Sequence, residues 1–461
     1  MSGVRWFERI LNTVADRGRD LLGLRDGASD DSLASLCARL VAGRVEATNI
    51  ALAREILQRF AALDVGAQTA FFMMLADEFA PDPAAIQAAA AAYEPGDPAT
   101  LGRLIAAVEP PRQELFRRLN MAPQGTANLV DMRARLLAHL KDHPRLSAVD
   151  ADFRHLLASW FNRGFLRLQR IDWRSPANVL ERLMHHEAVH PMQGWDDLRR
   201  RLAADRRCFG FFHPALPEEP LVFVEVALTD AVASEIAPLI EPSAPERDPY
   251  AADTAVFYSI NNALDGLRGI SFGNFLLKQV LGELAAELPQ LKQFVTLSPM
   301  PRFATGLRQL LDGRGAGWPV ARLDAALTDL QPELLEASGA ASPSAALASL
   351  IAHPVPDADA VTDAALARMA LLYLAGLKQD NGLCYDPVAA FHLANGAILD
   401  RINLAADRSP KGLAQSLGLM VNYRYDPDQV VANHEAFVHA GRVVMSRPLQ
   451  REYDKHFAGD D

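Results

Sequence analysis

The stretch from residue 253 to residue 303 constrains the fold of this chain more than any other, because its hydrophobic period changes twice. An apolar run at 255–260 predicts a short buried strand, and a second run at 294–298, stopped by Pro299, predicts another. Between them, apolar residues recur every four positions on one face of a predicted helix: Leu276, Val280, Leu284 and Leu288. The stretch therefore predicts a βαβ-like unit.

The turn before this helix is rich in glycine, with Gly266, Gly269 and Gly273 close together. Backbone N–H groups are unpaired at the positive end of a helix, and glycines let a phosphate approach them closely. No Gly-Lys-Ser/Thr follows, so the turn is not a Walker loop, and the spacing differs from the G-x-G-x-x-G of dinucleotide-binding folds. On these residues alone, the turn is either a pyrophosphate site or a tight connection.

Longer sequence blocks around this turn resemble a known family. R-G-I-S-F-G at 268–273 resembles the loop with which GNAT-type acetyltransferases hold the pyrophosphate of coenzyme A. FYSI, GLRGISFGNFLLK, LSPMPRF, FHLANGAILDRIN and GLMVNYRY follow in the order found in the malonyl-CoA decarboxylase family. The resemblance covers nearly the whole chain after Leu168, and more loosely the part before it.

The resemblance implies an α+β protein, with an N-terminal all-helical bundle domain followed by a GNAT-like mixed-sheet catalytic domain. It implies that malonyl-CoA is split into acetyl-CoA and carbon dioxide without a cofactor, by a homo-oligomer that is a dimer or a tetramer. We expect the domains to be residues 1–167, serving oligomerisation, and residues 168–461, serving catalysis.

The resemblance also implies site residues. Ser298 in LSPMPRF and His392 in FHLANGA match the catalytic serine and histidine, and the hydroxyl of Tyr425 is a candidate for the site wall. The coenzyme A loop matches Asp265, Gly266, Leu267, Arg268, Gly269, Ile270, Ser271 and Gly273. Asp265 and Arg268 depart from the neutral amides expected there, so their side-chain roles are left open while the backbone contacts are expected to persist.

The chemistry of a malonyl thioester explains why so few groups are needed. Loss of carbon dioxide leaves an enolate on the thioester, so neither biotin nor a metal is required. Ser298 is expected to bind the malonyl carboxylate or the histidine, and His392, with a pKa near working pH, to protonate the carbanion.

Two alternative functions are an acetyltransferase and a helical interaction protein whose catalytic half has decayed. The intact blocks around Ser298 and His392 argue against the second alternative.

The first 167 residues show a helical period interrupted by proline-rich breakers. Their apolar stripes predict a bundle core, with one surplus face available for oligomerisation. The stripes are Leu52, Ile56, Phe60 and Leu63; Leu101, Leu104, Ile105 and Val108; and Leu129, Met132, Leu136, Leu137 and Leu140.

Beyond residue 168, strand-like runs at 208–212 and 221–228 predict an antiparallel pair, and the sheet is expected to lie between about 207 and 298. Asp386-Pro387 predicts a helix start, and that helix is expected to present His392, Asn395 and Leu399 on one face. The segment 418–425 is predicted to be a strand or a turn.

A zinc-hydrolase spacing, H-E-x-x-H, occurs at 186–190. Pro191 follows at once and disfavours a helical conformation at His190, so the two histidines are not expected to share a helical face. We predict a solvated or capping histidine cluster and no metal.

The net charge of −11 argues against general nucleic-acid binding. The three cysteines, Cys37, Cys208 and Cys384, lie far apart and suit a reducing compartment.

No apolar run reaches the ~20 residues of a membrane span. The amphipathic N-terminus is interrupted by acidic residues, unlike a transit peptide, and no peroxisomal signal ends the chain. We therefore expect a cytosolic protein that binds no membrane.

Overall fold

The computed structural model describes residues 12–16, 31–270, 276–314, 323–324, 326–355, 359–379 and 384–457. Contacts divide the chain into two units. The first comprises Met1–Arg167, Phe211–Leu221 and Asn262–Gly273, and the second comprises Leu168–Gly210, Val222–Asn261 and Asn274–Asp461. The glycine-rich turn thus belongs with the N-terminal helices. The assignment of oligomerisation to 1–167 and catalysis to 168–461 stays a prediction.

The first unit is built from short helices with polar N-caps. Ser32, Asp64, Asp82 and Asp97 each accept a hydrogen bond from an N–H of the helix that follows. The helices are α1 (Leu33–Ala42), α2 (Glu46–Ala61), α3 (Val65–Asp77), α4 (Pro83–Ala91), α5 (Pro98–Val108), α6 (Pro111–Leu119), α7 (Gly125–His139) and α8 (Ser147–Trp160), with 3-10 turns at Pro144–Leu146 and Arg163–Phe165.

Two of the three predicted stripes form the core of this unit. Leu52, Ile56 and Phe60 on α2 are buried, and so are Leu129, Met132 and Leu136 on α7. The stripe on α5 is different, and its prediction as core is wrong. Leu101, Ile105 and Val108 are 43%, 56% and 45% exposed, because α5 packs on α4 and buries only Thr100.

The sheet is mixed and has eight strands. These are β1 (Arg167–Ile171), β2 (Arg206–His213), β3 (Leu216–Thr229), β4 (Thr254–Asn262), β5 (Gln293–Thr296), β6 (Ser298–Pro299), β7 (Ile398–Asn403) and β8 (Met420–Tyr425). The strand order is β1-β2-β3-β4-β5-β8-β6, and β7 also pairs with β8. The α+β class, with helices first and a mixed sheet afterwards, is confirmed.

Further helices whose bounds lie within the described residues follow β1 along the chain. They are α9 (Ala177–His186), α10 (Trp195–Arg201), α11 (Ala237–Ile240), α12 (Leu276–Glu287), α13 (Phe303–Leu311), α14 (Gln331–Ser338), α15 (Pro343–Ala352), α16 (Ala360–Leu371), α17 (Pro387–Ala394), α18 (Pro410–Ser416), α19 (Val430–Ala440) and α20 (Arg447–Phe457), with short turns at Asp265–Leu267, Thr328–Leu330 and Leu372–Gly376. The βαβ prediction is confirmed, because β4 and β5 pair in parallel on either side of α12.

The parallel pairing of β4 with β5 is short. It ends where Phe257 lies opposite Thr296, whereas β4 continues to Asn262. Leu297 still donates its N–H to the carbonyl of Phe257, at 2.9 Å, and the chain then pairs with β8 as β6. The last residues of β4 therefore extend beyond their parallel partner.

The predicted sheet, from 207 to 298, is too short. It omits β1, β7 and β8, and Leu399 was wrongly expected on the helix of His392. That helix ends at Ala394 and Leu399 lies in β7. The cause is Gly396, which has a φ of +81° and so turns the chain out of the helix.

Among the described residues, no single helix has both the length and the apolar composition to cross a membrane. One bent pair, Thr328–Ser338 with Pro343–Ala352, passes by length and composition only.

Gly396→Ala should destabilise the protein severely. A Cβ at this position would lie 1.9 Å from the carbonyl oxygen of Val430, in addition to the strain of the positive φ. Gly339→Ala is the matched control, because Gly339 has a φ of +63° but open space around its Cβ direction. We expect a loss in unfolding free energy of about 1 kcal/mol for the control and more than about 3 kcal/mol for Gly396→Ala in urea titrations. Equal losses of unfolding free energy in the two variants would contradict the close approach of Gly396 to Val430.

Candidate active site

The structure brings Ser298 and His392 into direct contact. The Oγ of Ser298 lies 3.0 Å from the Nε2 of His392, and both side chains are buried. Ser298 opens β6, and His392 lies on α17. The predicted start of α17 is confirmed, because Asp386 accepts hydrogen bonds from the N–H groups of Val388 and Ala389, at 2.9 Å each.

Tyrosines of β8 hold the other side of the imidazole. The Nδ1 of His392 is 2.8 Å from the hydroxyl of Tyr425, and the ring of Tyr423 stacks on the imidazole, with centroids 4.6 Å apart. Strand alternation puts Tyr423 and Tyr425 on the same face of β8. The ring of His392 is therefore fixed both at its face and at its Nδ1.

Thr296 determines the direction of the hydrogen bonds. The hydroxyl of Ser298 donates to the Oγ1 of Thr296, at 2.9 Å. A serine has one hydroxyl proton, so towards His392 it can only accept, and the Nε2 of His392 carries the proton that it donates. The Nδ1 then accepts from the hydroxyl of Tyr425. The order of donation is Tyr425 to His392 to Ser298 to Thr296.

This direction matters for the chemistry available. A serine nucleophile needs a histidine that accepts its proton, as in a hydrolase triad. Here His392 presents a proton at Nε2 instead. The pair is arranged as a proton donor with a polar hydroxyl beside it, not as an activated nucleophile.

Burial controls the charge of His392. Removal from water lowers the pKa of His392 from 6.5 to about 3, so its imidazole is neutral near pH 7. The expectation of a pKa near working pH is wrong for this buried ring. Burial also raises the pKa of Tyr425 well above its usual range, so its hydroxyl keeps its proton.

Asn422 of β8 links its strand to β5 and β7 by side-chain hydrogen bonds near Ser298 and His392. Its Nδ2 donates to the carbonyl of Thr296, at 2.7 Å, and its Oδ1 accepts from Asn403 at 2.7 Å and from Arg401 at 3.0 Å. Sequence reasoning missed Thr296 and Asn422. A signal for Thr296 was present, because positions 296 and 298 of the single strand predicted at 294–298 face the same side. Nothing in the sequence indicated the amide of Asn422.

The glycine-rich turn is the second predicted site. Gly266, Leu267 and Ile270 are buried, whereas Asp265, Arg268 and Gly269 are exposed. Asp265 and Arg268 form an exposed ion pair at 2.6 Å. Gly269 has a φ of +75°, and a Cβ there would meet nothing within 4 Å. The other two predicted contacts, Ser271 and Gly273, lie outside the described residues.

The H-E-x-x-H segment does not form a shared helical face. Helix α9 ends at His186, so His190 lies outside it, as the position of Pro191 predicted. Glu187 is buried and accepts from Ser259 at 2.7 Å and from Asn261 at 2.9 Å. His190 is also buried, which lowers its pKa to about 4, so the prediction of a solvated cluster is wrong for this residue.

The acidic residue of this motif therefore fixes the chain near β4. Its Oε1 accepts from the N–H groups of Val189 and His190, at 2.9 and 2.7 Å. Within the described ranges, no group of three or more His, Cys, Asp or Glu side chains is placed to hold a metal ion.

Comparison with known proteins agrees across sequence and structure. Residues 164–459 match the model of the malonyl-CoA decarboxylase C-terminal domain, and residues 79–161 match that of the N-terminal domain. The chain is 35% identical over 349 residues to the mitochondrial malonyl-CoA decarboxylase of Anser anser anser, covering 74% of this chain and 69% of the relative. For the Mus musculus protein of that name, the identity is 36% over 359 residues, covering 75% and 72%.

Solved structures give the same result. The malonyl-CoA decarboxylase of Rhodopseudomonas palustris is 46% identical, with a TM-score of 0.81 over 91% of this chain and 98% of that chain. The Agrobacterium vitis protein is 45% identical, with a TM-score of 0.80 over 91% and 99%. A family model that covers most of the chain, and relatives matched over more than two thirds of their length, show one family. The chain belongs to the malonyl-CoA decarboxylase family.

Proposed function

We propose that this protein converts malonyl-CoA to acetyl-CoA and carbon dioxide, with Ser298 and His392 as its catalytic residues. The observation that carries the proposal is the buried contact between these two side chains in a chain of this family. The pair offers a hydroxyl and a proton donor side by side, which are the two groups that the reaction needs.

The reaction breaks one carbon–carbon bond and forms one carbon–hydrogen bond. The electron pair of the broken bond passes to the α-carbon and spreads onto the thioester oxygen as an enolate. Protonation of that carbon gives acetyl-CoA, and one proton is taken up overall. Because the thioester accepts the electrons, the protein has only to orient the carboxylate and to supply the proton.

The low pKa of His392 fits this sequence of events. An anionic malonyl carboxylate beside the ring compensates the cost of a buried positive charge and raises the pKa of His392. When substrate binds, the ring takes up a proton at Nδ1, and the hydroxyl of Tyr425 turns so that its oxygen accepts from the new Nδ1–H. As carbon dioxide leaves, the negative charge moves to the enolate, and His392 returns its Nε2 proton to the carbon.

Ser298 and Tyr425 orient these partners. The Ser298 hydroxyl turns from Thr296 to the malonyl carboxylate and holds it out of the thioester plane. Tyr425 keeps the Nδ1 side of His392 occupied, so that the Nε2 side faces the substrate. Tyr425 is thus a positioning residue that can also share the proton.

Coenzyme A recognition rests on backbone groups. The exposed part of the glycine-rich turn binds the pyrophosphate through the N–H of Gly269, whereas the N–H of Arg268 donates to the carbonyl of Asp265 at 3.0 Å. Ser271 and Gly273 belong to this proposal on sequence resemblance alone.

A homo-oligomer and a cytosolic location complete the proposal. The exposed apolar face of α5 supports a second copy as its partner, because short helices gain most of their stability from packing. Cys37, Cys208 and Cys384 are free and buried, which fits a reducing compartment.

Ser298→Ala and His392→Asn should each lower the single-turnover rate of malonyl-CoA decarboxylation by roughly 10²-fold or more, the usual effect of a positioned acid–base group. Because the residues act as one unit, the double variant should be scarcely slower than the poorer single variant. The assay contains no acyl acceptor, so release of acetyl-CoA also excludes an obligatory acetyltransferase.

The control is His190→Asn, a buried histidine of a different cluster, whose rate should stay near that of the native protein. A near-native rate in His392→Asn would show that His392 is not the acid that protonates the carbanion.

Gly269→Val should weaken coenzyme A binding, because the new side chain would fill the open space that the phosphate approaches. Gly96→Val is the matched control, since Gly96 also has a positive φ and open surroundings but lies outside the turn. Calorimetry should give a Kd for coenzyme A that rises at least about tenfold in Gly269→Val only. An equal Kd in both variants would exclude the turn as the binding site.

Ile105→Glu should shift the oligomer towards the monomer, because a buried carboxylate at an apolar interface is costly. Val431→Glu is the control, since Val431 is 55% exposed and Ile105 56%. Light scattering at micromolar concentration measures the mass of each. If the native protein is itself a monomer, or if both variants keep the native mass, α5 is not the interface.

A further inference from the structure

A buried arginine of the helical part holds the glycine-rich turn. Arg133, on α7, is 1% exposed, and its Nη1 donates to the carbonyl oxygens of Gly266 at 2.6 Å and of Arg268 at 2.9 Å. Its Nε forms an ion pair with Asp150 at 2.8 Å. The turn and α7 belong to the same contact-defined unit.

The backbone of the turn also fits closely against α7. A Cβ on Gly266 would lie 1.9 Å from the carbonyl oxygen of Val130, so the turn approaches α7 without room for a side chain. Val130 and Arg133 are three residues apart and lie on the same face of the helix. One helical face therefore sets both the distance and the orientation of the turn.

These contacts fix the direction of the peptide between Arg268 and Gly269. In a trans peptide, the C=O of one residue and the N–H of the next point in opposite directions. Since the carbonyl of Arg268 points to Arg133, the N–H of Gly269 points away from α7. Gly269 is itself exposed, and a Cβ on it would meet nothing within 4 Å.

We propose that Arg133 is the positioning residue of the coenzyme A phosphate site, which makes the N-terminal helices part of substrate binding. The inference rests on the proposed function of the turn and adds to it a residue outside the family's catalytic blocks. The N–H groups of Leu267, Arg268 and Ile270 donate to carbonyls within the turn. By holding the carbonyl of Arg268 inward, Arg133 keeps the N–H of Gly269 directed towards an anion. It does so without touching the ligand.

The residue type matches this task. A guanidinium can bind a carboxylate through Nε and two carbonyls through Nη1 at the same time, whereas a lysine ammonium cannot reproduce that fixed fork. Asp150 compensates the buried positive charge, so the arginine is held in one orientation. Arg133→Lys should therefore keep the charge and lose much of the positioning.

Arg133→Met and Arg133→Lys test the inference in the full chain. Arg112→Met is the matched control, because Arg112 forms a buried ion pair with Asp152 and also reaches a carbonyl, that of Phe79. Arg112 and Arg133 are both buried arginines of the same unit, and the bonds named for Arg112 lie outside the turn. Comparable losses of thermal stability are expected from Arg112→Met and Arg133→Met.

The readouts are the Kd of coenzyme A by calorimetry and the KM and kcat of malonyl-CoA turnover. In both Arg133 variants we expect the Kd and the KM to rise roughly tenfold or more while kcat changes less than threefold, and in Arg112→Met neither constant should change by more than about twofold. Unchanged Kd in Arg133→Lys, or an equal rise in Arg112→Met, would overturn the role of Arg133. If Arg133→Met fails to fold, the lysine variant alone decides.

These results separate the inference from the function on which it rests. If the native protein decarboxylates malonyl-CoA and the Arg133→Lys variant binds coenzyme A with the native Kd, only the positioning role of Arg133 is refuted. If the native protein neither binds coenzyme A nor releases acetyl-CoA, the proposed function is refuted, and so is the inference that rests on it.

Discussion

The candidate active site depends on the way β8 pairs with two successive strands. Val295 of β5 lies opposite Arg424, and Ser298 of β6 lies opposite Val421. Between these pairs the regular ladder is replaced by side chains, because the N–H of Tyr423 donates to the Oγ1 of Thr296 at 3.1 Å. This interruption leaves a serine and a threonine hydroxyl on the face where α17 presents its histidine. A continuous ladder would satisfy the same backbone groups without recruiting a side chain.

The second constraint is burial. An imidazole enclosed by Tyr423, Tyr425 and Ser298 is neutral, and a neutral ring is a poor proton donor until a negative charge arrives beside it. The proposed substrate brings that charge as its carboxylate and keeps it, as an enolate, until the proton is transferred. In the proposed mechanism, proton uptake by His392 is thereby linked to substrate binding. The same burial keeps water from competing for the developing carbanion.

Sequence reasoning succeeded where the signal is local and failed where it depends on tertiary contacts. The βαβ unit around 253–303 was predictable because its periods are clear, and the start of α17 because Asp386 and Pro387 form a standard cap. The exposed face of α5 was mistaken for core, since periodicity reports an apolar face and not what covers it. β7 was missed because only three residues separate it from the end of the helix of His392, in a turn that needs Gly396. The low pKa of His392 could not be predicted, because burial is a property of the whole fold.

Electrostatics explain why the proposed phosphate site would need a positioned backbone. The chain carries a net charge of −11, so it offers no general attraction for an anionic thioester. At the exposed end of the turn, the charge of Arg268 is compensated by Asp265, and the buried charge of Arg133 is compensated by Asp150. Within the described part of the turn, the N–H groups of Leu267, Arg268 and Ile270 are already bonded, so the dipole that remains for a pyrophosphate is the N–H of Gly269. A dipole attracts an anion only when it points towards it. Affinity at such a site depends on the conformation of the turn more than on the number of positive charges. A buried arginine that fixes the peptide planes can therefore contribute more than an exposed arginine that reaches for the phosphate.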